Sequence, residues 1–178
     1  SATLLPIDLG RSHKDMDMLG PSLMERFGRL DIFIGNAGML GPLAPAHQIK
    51  IKDWERVMLT NFFANVRIVQ SIDPVLRASD AGRVVITGVE KQTIGAYWSA
   101  YCASKSALNS FAMTYAAETK KTNLRVNVID PGIVDTDLLR EAFPGGFPGK
   151  MKNPQDVAQA YVDLCAPQNT KHGALIQL

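Results

Sequence analysis

Short apolar segments alternate with longer amphipathic segments along this chain, and that alternation constrains its fold more than any other feature. The apolar runs have the length and composition of parallel strands that are covered on both faces. The amphipathic segments repeat their apolar residues at helical spacing. Strands that alternate with helices form a parallel sheet with helices packed on both faces. The sequence therefore predicts a single α/β domain over its 178 residues, built on a doubly wound parallel sheet.

The limits of the predicted elements follow from where each pattern begins and ends. Strands are predicted at residues 3–7, 31–35, 83–87, 125–129 and 173–178. Helices are predicted at residues 14–27, 52–79, 99–120 and 154–165. Residues 88–98 are predicted to form a loop, and residues 133–153, which contain a proline- and glycine-rich stretch, a mobile loop.

Composition narrows the range of functions. The net charge of +2 is spread along the chain without a basic run, so nucleic acid is not an expected partner. No apolar run approaches the roughly 18 residues of a membrane span, so no membrane partner is expected. Cys102 and Cys165 lie far apart, and a reducing cytoplasm is the expected location. His13, His47 and His172 are scattered and are interpreted as surface or loop residues. No metal site is expected, because no ligands have a suitable spacing.

Tyr101 and Lys105 are the first candidates for chemistry, because they lie four residues apart in a predicted helix and share one face. A nearby ammonium favours the phenolate, so Lys105 is expected to lower the pKa of Tyr101 from its usual value of about 10. Tyr101 could then exchange a proton with an alcohol or a carbonyl near neutral pH. The alternative is an ordinary pair on a helix surface, and the spacing alone does not decide between the two.

Polar and glycine-rich segments also follow the predicted strands. Gly35-Asn36-Ala37-Gly38, Thr87-Gly88 and Asp130-Pro131-Gly132 all come at carboxyl ends of strands, where α/β sheets bind their ligands. Asn61 and Asn65 lie on the apolar stripe of the helix at 52–79, and a buried amide needs hydrogen-bond partners. For Asn65 we prefer the interpretation of a core asparagine with satisfied hydrogen bonds.

The order and separation of these segments resemble the short-chain dehydrogenases/reductases. The resemblance runs from Asp8 to the last predicted strand, and residues 101–108 match the family especially closely. It is carried by Gly35-Asn36-Ala37-Gly38, Asn61, Tyr101-x-x-x-Lys105 and Pro131-Gly132-x-x-x-Thr136. The resemblance implies a Rossmann-like fold and an oxidoreductase that uses NAD or NADP. Such an enzyme interconverts a small-molecule carbonyl and an alcohol by hydride transfer.

The resemblance implies catalytic roles for three residues. Tyr101 would act as the acid in reduction and as the base in oxidation. Lys105 would bind the nicotinamide ribose and depress the pKa of Tyr101. Asn61 would hold a water in a proton relay through Lys105. The long helices at 52–79 and 99–120 would build a homodimer or a homotetramer.

The resemblance also implies a lid and a cofactor-binding set, to which Tyr101, Lys105, Pro131 and Gly132 belong together with the residues below. Asn36, Ala37 and Gly38 would line the side of the cofactor that holds the adenosine ribose, and Asp8 would meet the adenine amino group. Ile133 and Thr136, which follow the Pro131-Gly132 turn, would meet the nicotinamide carboxamide. Residues 133–153 would form the substrate lid, in which Leu139, Phe143 and Phe147 suggest an apolar ligand.

The chain departs from the family pattern at Gly88. The family has a serine thirteen residues before the tyrosine, where its hydroxyl bonds to the substrate oxygen, and this position is Gly88 here. A one-residue deletion in the following loop would bring Thr87 into that role, since threonine also offers a hydroxyl. Otherwise the role is empty and turnover is poor, because losing an oxyanion donor costs about a hundredfold or more in rate.

A second departure lies at the beginning of the chain. The family's first strand, glycine-rich turn and helix cradle the cofactor pyrophosphate, and no Gly-x-x-x-Gly-x-Gly segment occurs here. The first βαβ portion of the fold is therefore expected to be missing, and the strand at 3–7 would then have no neighbour. An alternative function follows, in which the chain is a non-catalytic or truncated relative that serves as an oligomerisation or binding module.

Overall fold

The computed structural model describes residues 2–11, 13–90 and 95–178. Its sheet has four parallel strands in the order β1-β2-β3-β4, paired in register from Ile32 opposite Arg83 onward. The strands are β1 (Ile32–Gly35), β2 (Arg83–Thr87), β3 (Arg125–Asp130) and β4 (Leu175–Gln177). This arrangement confirms the predicted parallel α/β sheet.

The helices lie close to their predicted limits, except that the helix predicted at 52–79 is divided and a short helix at Asp137–Ala142 was not predicted. They are α1 (His13–Phe27), α2 (Ile51–Met58), α3 (Ala64–Arg77), α4 (Ser99–Thr119), α5 (Asp137–Ala142) and α6 (Pro154–Cys165), with a short 3₁₀ turn at Ala46–Gln48. The side chain of Asn153 caps α6 by accepting a hydrogen bond from the Gln155 amide, and Pro154 occupies the first turn. Among the described residues, no helix is long and apolar enough to cross a membrane.

Two hydrophobic clusters hold the helices against the two faces of the sheet. On one face, Val84, Ile86, Val126 and Val128 pack against α3 and α4. On the other face, Val85 and Ile129 pack against Leu164 of α6. Successive side chains of a strand point to opposite faces, so β2 and β3 supply both clusters. All five residues of β2 are buried, as in a strand covered on both sides.

The helix predicted at 52–79 is interrupted by one widened turn. A π-helical segment at Leu59–Phe63 separates α2 from α3. Its middle residue, Asn61, is fully buried and forms its side-chain hydrogen bonds outside its own helix. Short π-helical turns of this kind are frequent at functional sites.

The strand predicted at 3–7 is wrong. Residues 2–7, which the structure describes, form no strand, and Leu4 is 92% exposed. The physical reason is the one anticipated from the sequence: an isolated strand leaves its backbone groups without partners. Among the described strands, β1 lies at an edge of the sheet and pairs only with β2.

The segment 133–153, predicted as a mobile loop, is not a loop throughout, because it contains a short helix and its two ends pair with each other; its mobility stays a prediction. It contains α5, whose first turn is capped by the Thr136 hydroxyl, which accepts a hydrogen bond from the Leu139 amide at 3.3 Å. Its two ends pair with each other, since the Lys152 amide donates to the Ile133 carbonyl at 2.9 Å. Of the loop predicted at 88–98, residues 91–94 lie outside the described part of the chain.

His172, which was interpreted as a surface or loop residue, is half-buried and forms hydrogen bonds through both ring nitrogens. His13 and His47 are exposed, as expected of surface residues. His172 lies in a loop but is half-buried, with its Nδ1 accepting a hydrogen bond from the Val126 amide. Its Nε2 lies 2.8 Å from the Ala116 carbonyl oxygen, so the ring joins α4 to β3.

Helices α1 and α3 approach each other closely at Gly20. The Gly20 amide donates to the Ser71 hydroxyl at 2.9 Å, and that hydroxyl donates to the Asp17 carbonyl at 2.7 Å. The Asp17 carboxylate also pairs with Arg67 at 2.7 Å. A side chain at position 20 would prevent this contact, because an added Cβ would lie 1.8 Å from the Ser71 carbonyl oxygen.

Candidate active site

A cavity of about 1190 Å³ opens at the carboxyl ends of β1, β2 and β3. This is where the sequence placed the ligand site, because the segments that follow parallel strands meet at one edge of the sheet. The cavity brings together most of the predicted site residues: Asn36, Ala37, Gly38, Thr87, Tyr101, Lys105, Pro131, Gly132, Ile133 and Thr136. Gly132 has a φ of 69°, so the turn after β3 uses the left-handed conformation that glycine adopts readily.

Two predicted site residues do not line this cavity. Asp8 is exposed in the segment before α1, and its Oδ1 accepts a hydrogen bond from the Gly10 amide at 2.9 Å. Asn61 is fully buried behind the cavity wall, next to Gly38, Met39 and Ser104.

Tyr101 and Lys105 share one face of α4, as their spacing predicts. The Lys105 Nζ lies 6.0 Å from the centre of the Tyr101 ring, on the side of its face. The pKa of Tyr101 is raised to about 12, mainly by burial and to a smaller extent by the neighbouring Cys102, Asp130 and Tyr161. The expected lowering of this pKa is therefore wrong for this structure, because loss of solvent around the phenolate is the largest cause of the shift.

Lys105 is a buried cation at the floor of the cavity. Its side chain is 2% exposed, and Nζ donates a hydrogen bond to the Thr87 carbonyl oxygen at 2.8 Å. Burial lowers the pKa of Lys105 to about 8, because water no longer solvates the charge. At pH 7 the ammonium form still predominates about tenfold.

Replacing Lys105 by methionine is expected to remove a pH-dependent cost from folding. Its pKa is about 8 in the folded protein against a model value of 10.5, so the unfolded chain binds the proton more tightly. The charge therefore destabilises the native state below pH 8, and the cost disappears as pH rises from 8 towards 10.5. We expect the free energy of unfolding of the unsubstituted protein to gain about 3 kcal/mol relative to Lys105→Met across this range.

Urea unfolding at a series of pH values measures this difference directly. Comparison with the variant cancels the opposite contributions of Tyr101 and Cys102, whose raised pKa values make stability fall at high pH in both proteins. Parallel stability curves for the two proteins between pH 7 and pH 10 would contradict the prediction.

Asn61 connects the cavity wall to α4. Its Oδ1 accepts from the Met39 amide at 2.8 Å, and its Nδ2 donates to the Met39 carbonyl and the Ser104 hydroxyl, each at 2.9 Å. The Asn61 backbone carbonyl accepts from Asn65 Nδ2 at 2.9 Å, which confirms Asn65 as a core asparagine with a satisfied hydrogen bond. Both N–H groups of the Asn61 side chain are used, so a water near Asn61 would bond to an oxygen, and its backbone carbonyl has a second lone pair.

Thr87 lies at the end of β2 in a short chain of polar groups. Its hydroxyl donates to Asn36 Oδ1 at 2.8 Å and lies 2.7 Å from the Tyr161 hydroxyl. Tyr161, on α6, also lines the cavity, and the sequence analysis did not identify it. Its position one turn after Val157 on the inward stripe of α6 was the signal, but an aromatic residue on such a stripe is usually part of the core.

Gly88 faces the opposite side of the sheet from Thr87. A Cβ at this position would lie 2.0 Å from Asn109 Oδ1 and 2.5 Å from a methyl carbon of Val128. The Asn109 side chain is held there by a hydrogen bond of 2.6 Å from its Nδ2 to the Val89 carbonyl oxygen. The space that a serine side chain would need is therefore occupied.

Asp130 is a second residue that the sequence analysis left without a role. It is 2% exposed, and its carboxylate accepts hydrogen bonds from the Glu90 amide at 2.6 Å and the Gly132 amide at 2.9 Å. It therefore fastens the segments that follow β2 and β3, both of which border the cavity.

Aromatic side chains form one wall of the cavity. Phe143 lies between Trp98 and Phe147, with ring centres 6.2 Å and 5.0 Å apart respectively. Leu139 of α5 lines the same region. The predicted apolar lid residues thus do line the cavity.

Comparison with known sequences places the chain among dehydrogenases. The family model described as short chain dehydrogenase matches residues 1–145. The oxidoreductase YciK of Escherichia coli (strain K12) is 35% identical over 152 residues, which are 85% of this chain and 60% of that protein. The benzil reductase ((S)-benzoin forming) IRC24 of Saccharomyces cerevisiae is 37% identical over 133 residues, which are 71% of this chain and 50% of that protein. The chain thus spans only part of the length of these relatives.

Solved structures show the same similarity. A short chain dehydrogenase from Salmonella enterica serovar Typhi matches with a TM-score of 0.90 and 31% identity, covering 97% of this chain and 72% of that one. A short chain dehydrogenase from Escherichia coli CFT073, complexed with NADPH, matches with a TM-score of 0.87 and 32% identity. That match covers 96% of this chain and 72% of the other.

Proposed function

Because the chain belongs to the short-chain dehydrogenase family, we propose that the protein is an oxidoreductase that uses NAD or NADP to interconvert a carbonyl and an alcohol. The observation that carries this proposal is the meeting of Tyr101 and Lys105 in one cavity at the carboxyl ends of the strands. A phenol beside a buried cation is suited to exchanging a proton with a carbonyl or alcohol oxygen.

The residues at the cavity fit a nicotinamide cofactor. An ammonium has three N–H groups, of which the Thr87 carbonyl takes one, so Lys105 can also donate to a ribose hydroxyl. Asn36, Ala37 and Gly38 would line the adenosine ribose, and Pro131, Gly132, Ile133 and Thr136 would line the nicotinamide. Asp8, which does not line this cavity, would meet the adenine outside it. The bound cofactor supplies or accepts the hydride.

Tyr101 would serve as the proton donor in carbonyl reduction. A phenol whose pKa is about 12 stays protonated at neutral pH, which suits an acid more than a base. In the reverse direction Tyr101 must first lose its proton, which becomes easier as pH rises.

Lys105 and Asn61 would help to return a proton to Tyr101 after it has donated its own to the substrate. Lys105 connects the cavity floor to the end of β2, and Asn61 lies directly behind it, near Gly38. A water held by the Asn61 backbone carbonyl would complete a path from Lys105 towards solvent. Gly88 stands where the family has a serine whose hydroxyl bonds to the substrate oxygen. Thr87 would contribute the hydroxyl at the substrate end of the cavity instead.

The aromatic wall of Trp98, Phe143 and Phe147 favours an apolar, ring-containing carbonyl substrate. Benzil, which the yeast relative is named for reducing, is a compound of this class. The homodimer or homotetramer that the family resemblance implies remains a prediction. The alternative of a non-catalytic module is the weaker reading, since the similarity extends to named oxidoreductases.

Hydride transfer by the full-length protein tests this proposal. We expect oxidation of NADPH or NADH, followed by its absorbance, when benzil is added, with the hydroxyketone as the product. A Tyr115→Phe variant is the matched control, because Tyr115 donates to Asp73 at 2.6 Å on α3 and does not line the cavity. Consumption of neither cofactor with benzil or a panel of other aryl ketones would count against the proposed function.

A further inference from the structure

We propose that Ser104 is a positioning residue, which fixes Tyr101 of α4 relative to the cofactor-binding segment at residues 36–38. This inference rests on the proposed function, because the step that it serves is hydride transfer. A buried line of hydrogen bonds carries it. The line runs from the end of the cofactor-binding segment through the side chains of Asn61 and Ser104 to the backbone of Tyr101.

The Ser104 hydroxyl is used both as an acceptor and as a donor. It accepts a hydrogen bond from Asn61 Nδ2 at 2.9 Å and donates to the Tyr101 carbonyl at 2.7 Å. A serine in a helix often donates to a carbonyl of the turn before it, and that bond alone would be ordinary. Ser104 differs because it is fully buried and also bonded to Asn61, which lies on the π-helical turn between α2 and α3.

Asn61 is itself fastened on the side of the cofactor. Its Oδ1 accepts from the Met39 amide at 2.8 Å, and its Nδ2 donates to the Met39 carbonyl at 2.9 Å. Met39 directly follows the cofactor-binding segment. Two hydrogen bonds to one residue fix the plane of a fully buried amide. The position of the cofactor-binding segment is therefore passed on to Ser104.

The line of hydrogen bonds acts on Tyr101 more than on Lys105. The Lys105 ammonium lies close to the cofactor-binding segment, since a Cβ added at Gly38 would be 3.5 Å from Nζ. It is held from β2, however, because Nζ donates to the Thr87 carbonyl at 2.8 Å. The backbone of Tyr101 is held by Ser104. A displacement of about 1 Å can cost a hundredfold in rate, so loss of this one bond would slow proton donation.

Ser104→Ala tests the proposal directly, because it removes the hydroxyl and adds no bulk. In the full-length protein with NADPH and benzil, we expect the single-turnover rate constant of hydride transfer to fall by about tenfold to a hundredfold. The Kd for NADPH should change less than about threefold, because no group that would bind the cofactor is removed. Stopped-flow absorbance measures the rate constant, and an unchanged value would refute the role of Ser104.

Two substitutions serve as matched controls. Ser106→Ala makes the same chemical change at an exposed position of α4. Tyr115→Phe removes another hydrogen bond between α4 and α3, of 2.6 Å to Asp73, away from the cavity. Both should change the rate constant less than about twofold. A fall as large in Tyr115→Phe as in Ser104→Ala would show that the packing of α4 on α3 controls the rate, and it would overturn the proposal.

A double substitution shows whether Ser104 acts through Tyr101. In a Tyr101→Phe background, Ser104→Ala should change the remaining rate less than about threefold, because the hydroxyl that it positions is gone. A residue that only stabilises the fold would not depend on the phenol in this way. The same fold loss in both backgrounds would contradict the inference.

Hydrogen exchange decides the inference without turnover. Because the bond from Asn61 holds the turn at Tyr101, we expect the amides of residues 102–105 to exchange severalfold faster in Ser104→Ala, and no faster in Tyr115→Phe. Mass spectrometry of peptides from the full-length protein measures this difference. Unchanged exchange in Ser104→Ala would refute its positioning role. Faster exchange in a protein that transfers no hydride would support the buried link and overturn the proposed function alone.

Discussion

Tyr101→Phe is expected to lower kcat for carbonyl reduction by about a thousandfold or more, while the Kd for NADPH changes less than about threefold. The substitution removes one oxygen atom and with it the proton that the carbonyl oxygen must receive. The aromatic ring, which packs edge to face on Trp98 with centres 5.8 Å apart, is kept. A loss in kcat without a loss in cofactor affinity is the sign of an interaction made in the transition state.

The burial of Tyr101 makes this substitution informative. The substitution removes only the phenolic hydroxyl, which stays protonated at pH 7 because its pKa is about 12 and can therefore donate a proton. Tyr115→Phe again provides the control, because its hydroxyl is bonded to Asp73 outside the cavity. Stopped-flow measurement of a single turnover follows the hydride step itself. A Tyr101→Phe variant with an unchanged single-turnover rate would exclude Tyr101 as the proton donor.

The sheet could be predicted from the sequence because each central strand carries its own signal. Residues 83–87 and 125–129 each place two valines or a valine and an isoleucine on one face and at least one apolar residue on the other, and their neighbours in the chain are long helical patterns. The segment at 3–7 has the same local pattern and yet forms no strand. A strand requires a partner as well as a pattern, and local composition does not report whether the partner is present.

The π-helical turn at Leu59–Phe63 could not be predicted, because the apolar stripe passes through it almost unchanged. Asn61 gains hydrogen bonds to Met39 and Ser104, which are far away in the sequence. Tertiary contacts of this kind determine such local departures from α-helical geometry. The short helix α5 was missed for a similar reason, since its cap at Thr136 lies inside a segment dominated by proline and glycine.

The sequence predicted which candidate residues meet at the carboxyl ends of the strands, but it did not predict the direction of the Tyr101 pKa shift. Ordered motifs at strand ends were enough to bring Asn36, Thr87, Tyr101 and Lys105 into one cavity. The direction of the Tyr101 pKa shift was wrong because spacing along a helix reports proximity to Lys105 but not the loss of solvent. Tyr161 was missed because α6 approaches β2 only in the folded chain.

Gly20→Ala is expected to destabilise the fold by about 3 kcal/mol. An added Cβ would lie 1.8 Å from the carbonyl oxygen and 2.6 Å from the carbonyl carbon of Ser71. Both are backbone atoms of α3, so no change of side-chain rotamer relieves the overlap, and α1 must move away from α3. That movement also stretches the hydrogen bond from the Gly20 amide to the Ser71 hydroxyl, now 2.9 Å.

Urea unfolding of the full-length protein measures the effect of Gly20→Ala, with Gly145→Ala as the matched control. No heavy atom lies within 4 Å of a Cβ added at Gly145, so that change should alter stability by less than about 0.5 kcal/mol. Alanine stabilises a helix by about 1 kcal/mol relative to glycine. The overlap between α1 and α3 must therefore cost more than this gain in helix stability at position 20. A Gly20→Ala variant that is as stable as the unsubstituted protein, or more so, would show that α1 and α3 do not pack this closely.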